Sequence, residues 1–226
     1  MKKENTVAVK ICGIRSMAIL DVLLTEKPEY VGFVFAASKR QVSPETAAAL
    51  GRELPGFIRK VGVFMNEKED DLKRMAARGN LDILQLHGQE TPDLCHRLRR
   101  EGYRVWKAFP LATQYDVGRL REYQVDGYLV DTPGVAGAGG TGTVFPWHWL
   151  MVDPAVQAIF QPLILAGGLH AGNIREALEQ VTPAVVDVSS GVETRGTKDP
   201  LLIREFIQKV RDYHADESGA KKQSIK

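Results

Sequence analysis

Apolar residues recur along this chain with two alternating rhythms. Short runs rich in β-branched and aromatic residues read as strands: Thr6–Ile11, Tyr30–Phe35, Arg59–Met65, Leu81–Leu86, Arg104–Phe109, Val125–Val130, Pro162–Ala166 and Ala184–Val188. Between them the spacing changes to a helical one. Ile14–Glu26 carries Met17, Leu20, Leu23 and Leu24 at that period. Further helices are predicted from Ser43-Pro44-Glu45 to about Glu53, over Lys68–Ala77, from Thr91-Pro92 to about Arg100, and over Thr113–Tyr123. One or two short helical pieces fall within Trp147–Phe160, and two more helices at Ala171–Gln180 and Pro200–Tyr213. Ser43 and Thr91 each precede a proline, which marks an N-cap followed by a first-turn Pro. His214–Lys226 is polar and has no apolar period, so the folded domain is read as 1–213 and the rest as a disordered tail.

Strands alternating with helices make an α/β protein with a parallel sheet and right-handed crossovers. Eight strand–helix units in 226 residues fit a single (βα)8 TIM barrel better than a doubly wound open sheet.

Composition narrows the partners. The chain is 44% hydrophobic and 26% charged, with a formal net charge of +2, too small to point to nucleic acid or a membrane surface. The start, MKKENTVAVK, lacks the apolar core of a signal peptide, and the cytoplasm is the expected compartment. Cys12 and Cys95 do not make a disulfide scaffold. Neither they nor His87, His96, His148, His170 and His214 show metal-ligand spacing.

In a (βα)8 barrel the chemistry sits at the C-terminal strand ends and in the loops that follow. Here those ends carry Cys12, then Ser38-Lys39-Arg40, Gln85-Leu86-His87-Gly88, Asp131, Ala166-Gly167-Gly168 and Asp187-Val188-Ser189-Ser190-Gly191. Cys12 reads either as a small buried apolar residue or as a base or nucleophile, if a nearby positive charge lowers its pKa. Asp131 follows an uninterrupted Gly-Tyr-Leu-Val run, with little room for a structural ion pair. It is the candidate general acid, or else a cap of the loop behind it. Gly167-Gly168 and Ser189-Ser190-Gly191 offer backbone N–H groups and hydroxyls to a phosphate. The loop with Gly140 and Gly142 is placed to close over the same group. Arg40 suits a substrate carboxylate. Lys10 alternates onto the face of Cys12, and Asp187, on the neighbouring strand of a closed barrel, is its expected partner. That pair would keep the field around Cys12 positive.

With these residues assembled, the chain resembles the phosphoribosylanthranilate isomerases of tryptophan biosynthesis. The motifs that carry the likeness are Lys10-Ile11-Cys12-Gly13-Ile14, Gly32-Phe33-Val34-Phe35, Ser38-x-Arg40-x-Val42-Ser43-Pro44, Val61-Gly62-Val63-Phe64 and Leu84-Gln85-Leu86-His87-Gly88. Lys107-Ala108-Phe109, Val130-Asp131-Thr132, Gly139-Gly140-Thr141-Gly142, Leu165-Ala166-Gly167-Gly168-Leu169, Val186–Glu193 and Lys198-Asp199-Pro200 complete it. The resemblance implies a phosphosugar substrate and the Amadori rearrangement of N-(5′-phosphoribosyl)anthranilate to 1-(2-carboxyphenylamino)-1-deoxyribulose 5-phosphate. Asp131 would protonate the ring oxygen and a Cys12 thiolate would take the C2′ proton. Arg40 would hold the anthranilate carboxylate, with Gln85, His87, Asp187 and the late glycines and serines lining the substrate. No metal or organic cofactor is implied, and the molecule is expected as a monomer or homodimer.

Two other readings stay in view. The histidine-pathway isomerase performs the same rearrangement on a two-phosphate substrate but uses an aspartate where Cys12 stands. A phosphosugar-binding barrel without catalysis is the second.

Overall fold

A computed structural model describes residues 6–132, 146–151 and 161–223. Eight parallel strands close into a barrel in sequence order: β1 (Ala8–Cys12), β2 (Tyr30–Val34), β3 (Arg59–Phe64), β4 (Ile83–Leu86), β5 (Val105–Pro110), β6 (Gly127–Asp131), β7 (Leu163–Leu165) and β8 (Val185–Val188). The (βα)8 architecture expected from the alternation is therefore present. Closure is made by β1 against β8, in a register that sets Lys10 opposite Asp187.

Strand alternation sorts side chains into two apolar layers. Inside lie Val61, Ile83, Trp106, Ala108, Leu129, Ile164, Ala166 and Val185. The opposite strand faces, with Val9, Ile11, Leu84, Leu86 and Val186 among them, pack against the helices in a larger cluster. Residues two places beyond the interior layer, such as Gln85 after Ile83 and Asp131 after Leu129, point inward at the C-terminal mouth.

The helices are α1 (Leu20–Glu26), α2 (Pro44–Arg52), α3 (Glu69–Arg78), α4 (Pro92–Arg100), α5 (Ile174–Gln180) and α6 (Pro200–Gln223). The Ser43 and Thr91 side chains accept hydrogen bonds from Thr46 N and Leu94 N, as the N-cap reading required. Three predicted helices are tighter than expected. Met17–Ile19 is a 3₁₀ turn that leads into α1, Gln114–Glu122 is 3₁₀ throughout, and Trp147–Met151 is a 3₁₀ segment.

The last helix runs to Gln223, well past the end at Tyr213 read from the sequence. Alanine, glutamate, lysine and glutamine in this stretch are good helix formers, and they extend a helix already anchored by packing. His214 belongs to that anchor: its Nε2 accepts the Val7 backbone N–H at 2.9 Å and fixes the start of β1.

At the N-terminal face one device recurs. Glu29, Asp82 and Asp126 each directly precede an even-numbered strand. They accept the backbone N–H of Val9, Lys60 and Val105 on the odd-numbered strand before it, at 2.8, 2.7 and 2.9 Å. This face carries stability, which leaves the opposite face to chemistry.

Candidate active site at the C-terminal mouth

Cys12 ends β1, and Gly13 behind it turns with φ +84°. The thiol faces Gly32 of β2, where an added Cβ would lie 2.6 Å from Sγ; glycine makes the room the sulfur occupies. One layer below, fully buried Lys10 donates to Asp187 Oδ2 at 2.7 Å. The pair inferred from barrel closure is therefore formed. Burial alone would lower the Lys10 ammonium, but the negative charge of Asp187 and of a Cys12 thiolate holds it above the ordinary lysine value.

The thiol itself departs from expectation. Burial is the largest influence and pushes Cys12 above the ordinary cysteine value; Lys10 pulls it down, Asp187 pushes it up again, and Lys198 pulls it down. The neighbouring cation is present, but Asp187 shares its field and desolvation wins.

Asp131 ends β6, three strands from β1 when counted through β8 and β7, so both residues stand at the same, C-terminal mouth of the barrel. Where the sequence suggested little room for a structural partner, its Oδ2 lies 3.3 Å from His87 Nε2. Gln85 Nε2 stands 3.1 Å from His87 Nδ1, so the β4 end presents a Gln85–His87–Asp131 chain. The loop carrying His87 is braced from outside the barrel: Lys107 Nζ donates to Gly88 O at 2.8 Å, and Glu90 accepts from Gly88 N at 2.9 Å. Asp131 Oδ1 has space only because residue 167 is glycine, where a Cβ would stand 2.8 Å away.

Gly167 and Gly168 have consecutive positive φ values of +85° and +65°, a path that glycine follows without strain. Gly191, in the loop after β8, packs so closely that a Cβ there would meet Leu169 O at 1.9 Å. The loops after β7 and β8 are thus in direct contact. Ser189 Oγ, expected to face a phosphate, donates to Cys12 O at 3.2 Å and ties the β8 end to the β1 end. Ser190 opens a 3₁₀ turn through Val192. Gly140 and Gly142 lie outside the described residues.

Arg40 is not free. Its Nε and Nη2 donate to Glu193 Oε1 and Oε2 at 2.6 and 2.7 Å, and Lys198 Nζ donates to the same Oε1 at 2.8 Å and to Ser189 O at 2.7 Å. Glu193 and Lys198 stand opposite each other in a small antiparallel pair, β9 (Glu193–Thr194) and β10 (Thr197–Lys198). Burial would raise Glu193, but hydrogen bonds from Arg40 and Lys198 outweigh it and lower its pKa to about 2. Neither residue stood out as a site residue in the sequence. The available signal was an acid and a base in the turn directly behind a candidate phosphate loop. Cys95, by contrast, is buried in α4, as a packing residue should be.

The barrel mouth thus gathers a thiol at the end of β1, a carboxyl at the end of β6, the paired glycines after β7 and the Arg40 guanidinium. Residues 9–209 match the sequence profile of N-(5′-phosphoribosyl)anthranilate (PRA) isomerase. The chain belongs to this family. The PRA isomerase of Clostridium acetobutylicum is 42% identical over 207 residues, which cover 92% of this chain and 99% of the relative. That of Acetivibrio thermocellus is 42% identical over 211 residues, 90% of this chain and 95% of the relative. Among solved PRA isomerases, a crystal structure from Thermotoga maritima superposes with TM-score 0.82 at 37% identity, covering 91% of this chain and 99% of that one. Another, in complex with reduced 1-(o-carboxyphenylamino)-1-deoxyribulose 5-phosphate, has TM-score 0.79 at 36% identity with the same coverage.

Proposed function

We propose that Asp131 is the general acid and Cys12 the general base of this PRA isomerase, with the β7 and β8 loops holding the substrate phosphate and Arg40 its carboxylate. The reaction is the isomerisation of N-(5′-phosphoribosyl)anthranilate in tryptophan biosynthesis. Asp131 protonates the furanose oxygen; the ring C1′–O bond breaks as nitrogen donates its electron pair, and a protonated Schiff base remains. Cys12 as thiolate then removes the C2′ proton, and the C–H electrons flow toward the iminium to give an enolamine. A proton added at C1′ and one lost from the 2′-hydroxyl yield the ketone, so the isomerisation gains or loses no proton overall.

This step needs Cys12 as the thiolate. Lys10 and Lys198 already favour the thiolate, and the cation formed by ring opening adds to their field. The observation that carries the reading is the placement of Cys12 and Asp131 at the C-terminal ends of β1 and β6 of one closed barrel. Among the described residues no helix is long and apolar enough to cross a membrane. We place the enzyme in the cytoplasm, as a monomer or homodimer.

The assay is the fluorescence decay of phosphoribosylanthranilate with purified protein, repeated with Cys12→Ser and Asp131→Asn. Each variant is expected to lose roughly 10²–10⁴ in kcat, the usual weight of a positioned acid or base. Full activity in either would remove the role assigned to that residue.

A further inference from the structure

The Arg40–Glu193–Lys198 cluster is more elaborate than holding one arginine in place requires. A guanidinium has two edges that can engage a carboxylate with two parallel hydrogen bonds, Nε with Nη2 and Nη1 with Nη2. Glu193 takes the first edge with both of its oxygens. Nη1 has no partner among the described residues. The side chains are 14% exposed for Arg40 and 5% for Glu193, so the internal pair is largely sealed while the arginine keeps an open side.

Charge points the same way. Glu193 alone would cancel Arg40, but Lys198 donates to that carboxylate as well, and the cluster of two cations and one anion keeps a net positive charge. Backbone geometry fixes the stem: a Cβ at Gly13 would stand 2.7 Å from Arg40 Cδ, so the stem lies directly over the residue after Cys12. From there the guanidinium stands beside the thiol end of the site.

We infer that Glu193, backed by Lys198, is a positioning and specificity-determining residue that grips the Nε/Nη2 edge of Arg40 and leaves the Nη1/Nη2 edge for the aryl carboxylate of the substrate. This rests on the assignment of the carboxylate to Arg40. Glu193 is then a support for the docking edge, and not a competitor that substrate must displace.

The test uses two ligands: the reduced N-aryl-1-amino-1-deoxyribulose 5-phosphate with its ortho-carboxylate, and the same compound without it. The ratio of their Kd values measures what the carboxylate contributes, and it is read in the full-length wild type, Glu193→Gln, Glu193→Asp and Arg40→Gln. Glu193→Gln is expected to reduce the ratio by about ten- to a hundredfold, the weight of hydrogen bonds to a charged group. Binding of the decarboxylated ligand should stay unchanged, and KM should rise far more than kcat falls. Glu193→Asp keeps the charge, retracts it by one methylene, and should give a smaller drop; it carries the test if Glu193→Gln does not fold.

Arg40→Gln should abolish the preference. If it does, and both Glu193 variants keep or increase the wild-type ratio, the positioning role is overturned and the assignment of Arg40 survives. Equal weakening of both ligands by the Glu193 variants also overturns it, since that is general damage to the site. A preference that persists in Arg40→Gln overturns the assignment of Arg40 and this inference with it.

Discussion

His87 Nε2 faces Asp131 Oδ2 at 3.3 Å, while Gln85 Nε2 holds the other ring nitrogen at 3.1 Å. The imidazole is thus fixed from behind by a buried amide and meets the candidate acid with its front nitrogen. Replacing Gln85 with Leu removes the brace and keeps the volume. Since small displacements of catalytic groups cost up to about a hundredfold, Gln85→Leu and His87→Phe are expected to lower kcat by roughly ten- to a hundredfold. KM should change little. Steady-state kinetics alongside thermal melting separates this from unfolding, and an unchanged kcat in both variants would detach the chain from the acid's function.

The buried Lys10–Asp187 pair makes a second prediction. Because Lys10 pulls the Cys12 thiol down, Lys10→Met should move its titration further up. The readout is thiolate absorbance against pH in a Cys95→Ser background. The same change leaves Asp187 buried without its partner and should cost about 3–5 kcal/mol, as breaking one side of a buried pair does. Adding Asp187→Asn should recover part of that loss. An unmoved thiol titration in Lys10→Met would remove the electrostatic link.

Acid stability should depend on Glu193. Its pKa is lowered from 4.5 to about 2 in the folded protein, so folding favours the ionised form. The contribution is complete above the unfolded value and is lost as pH falls from 4.5 toward about 2. Denaturant midpoints measured across that window should fall less steeply in Glu193→Gln than in the wild type. Parallel slopes would mean that the carboxyl is not held down by its two cations.

The opposite face gives a contrasting variant. Asp126 accepts Val105 N at 2.9 Å and pairs with Arg99 at the N-terminal end of the barrel, remote from the mouth. Asp126→Ala should cost about 1–3 kcal/mol by orphaning that backbone N–H, with kcat and KM unaffected. A change in kcat at unchanged stability would contradict the division of labour between the two faces.

Much of this protein is written locally. The switch between two-residue and helical periods names the strands and helices, because each period follows from backbone geometry and needs no distant partner. Polar residues at the last positions of apolar strands mark Cys12 and Asp131, since a strand end is where a polar side chain reaches solvent without breaking the core. Barrel closure makes even Lys10–Asp187 predictable, because parallel register is a topological consequence of eight repeated units. What the sequence left open depends on distance through space and on burial. Arg40 and Glu193 are 153 residues apart, and nothing local couples them. His87 reaches Asp131 only because β4 and β6 curve around one mouth. The Cys12 thiol is set by a balance between desolvation and three charges, Lys10 on its own strand and Asp187 and Lys198 from distant parts of the chain, and desolvation has no signature in a string of residues. The last helix outran its apolar pattern, because a helix nucleated by packing continues for as long as its residues favour it.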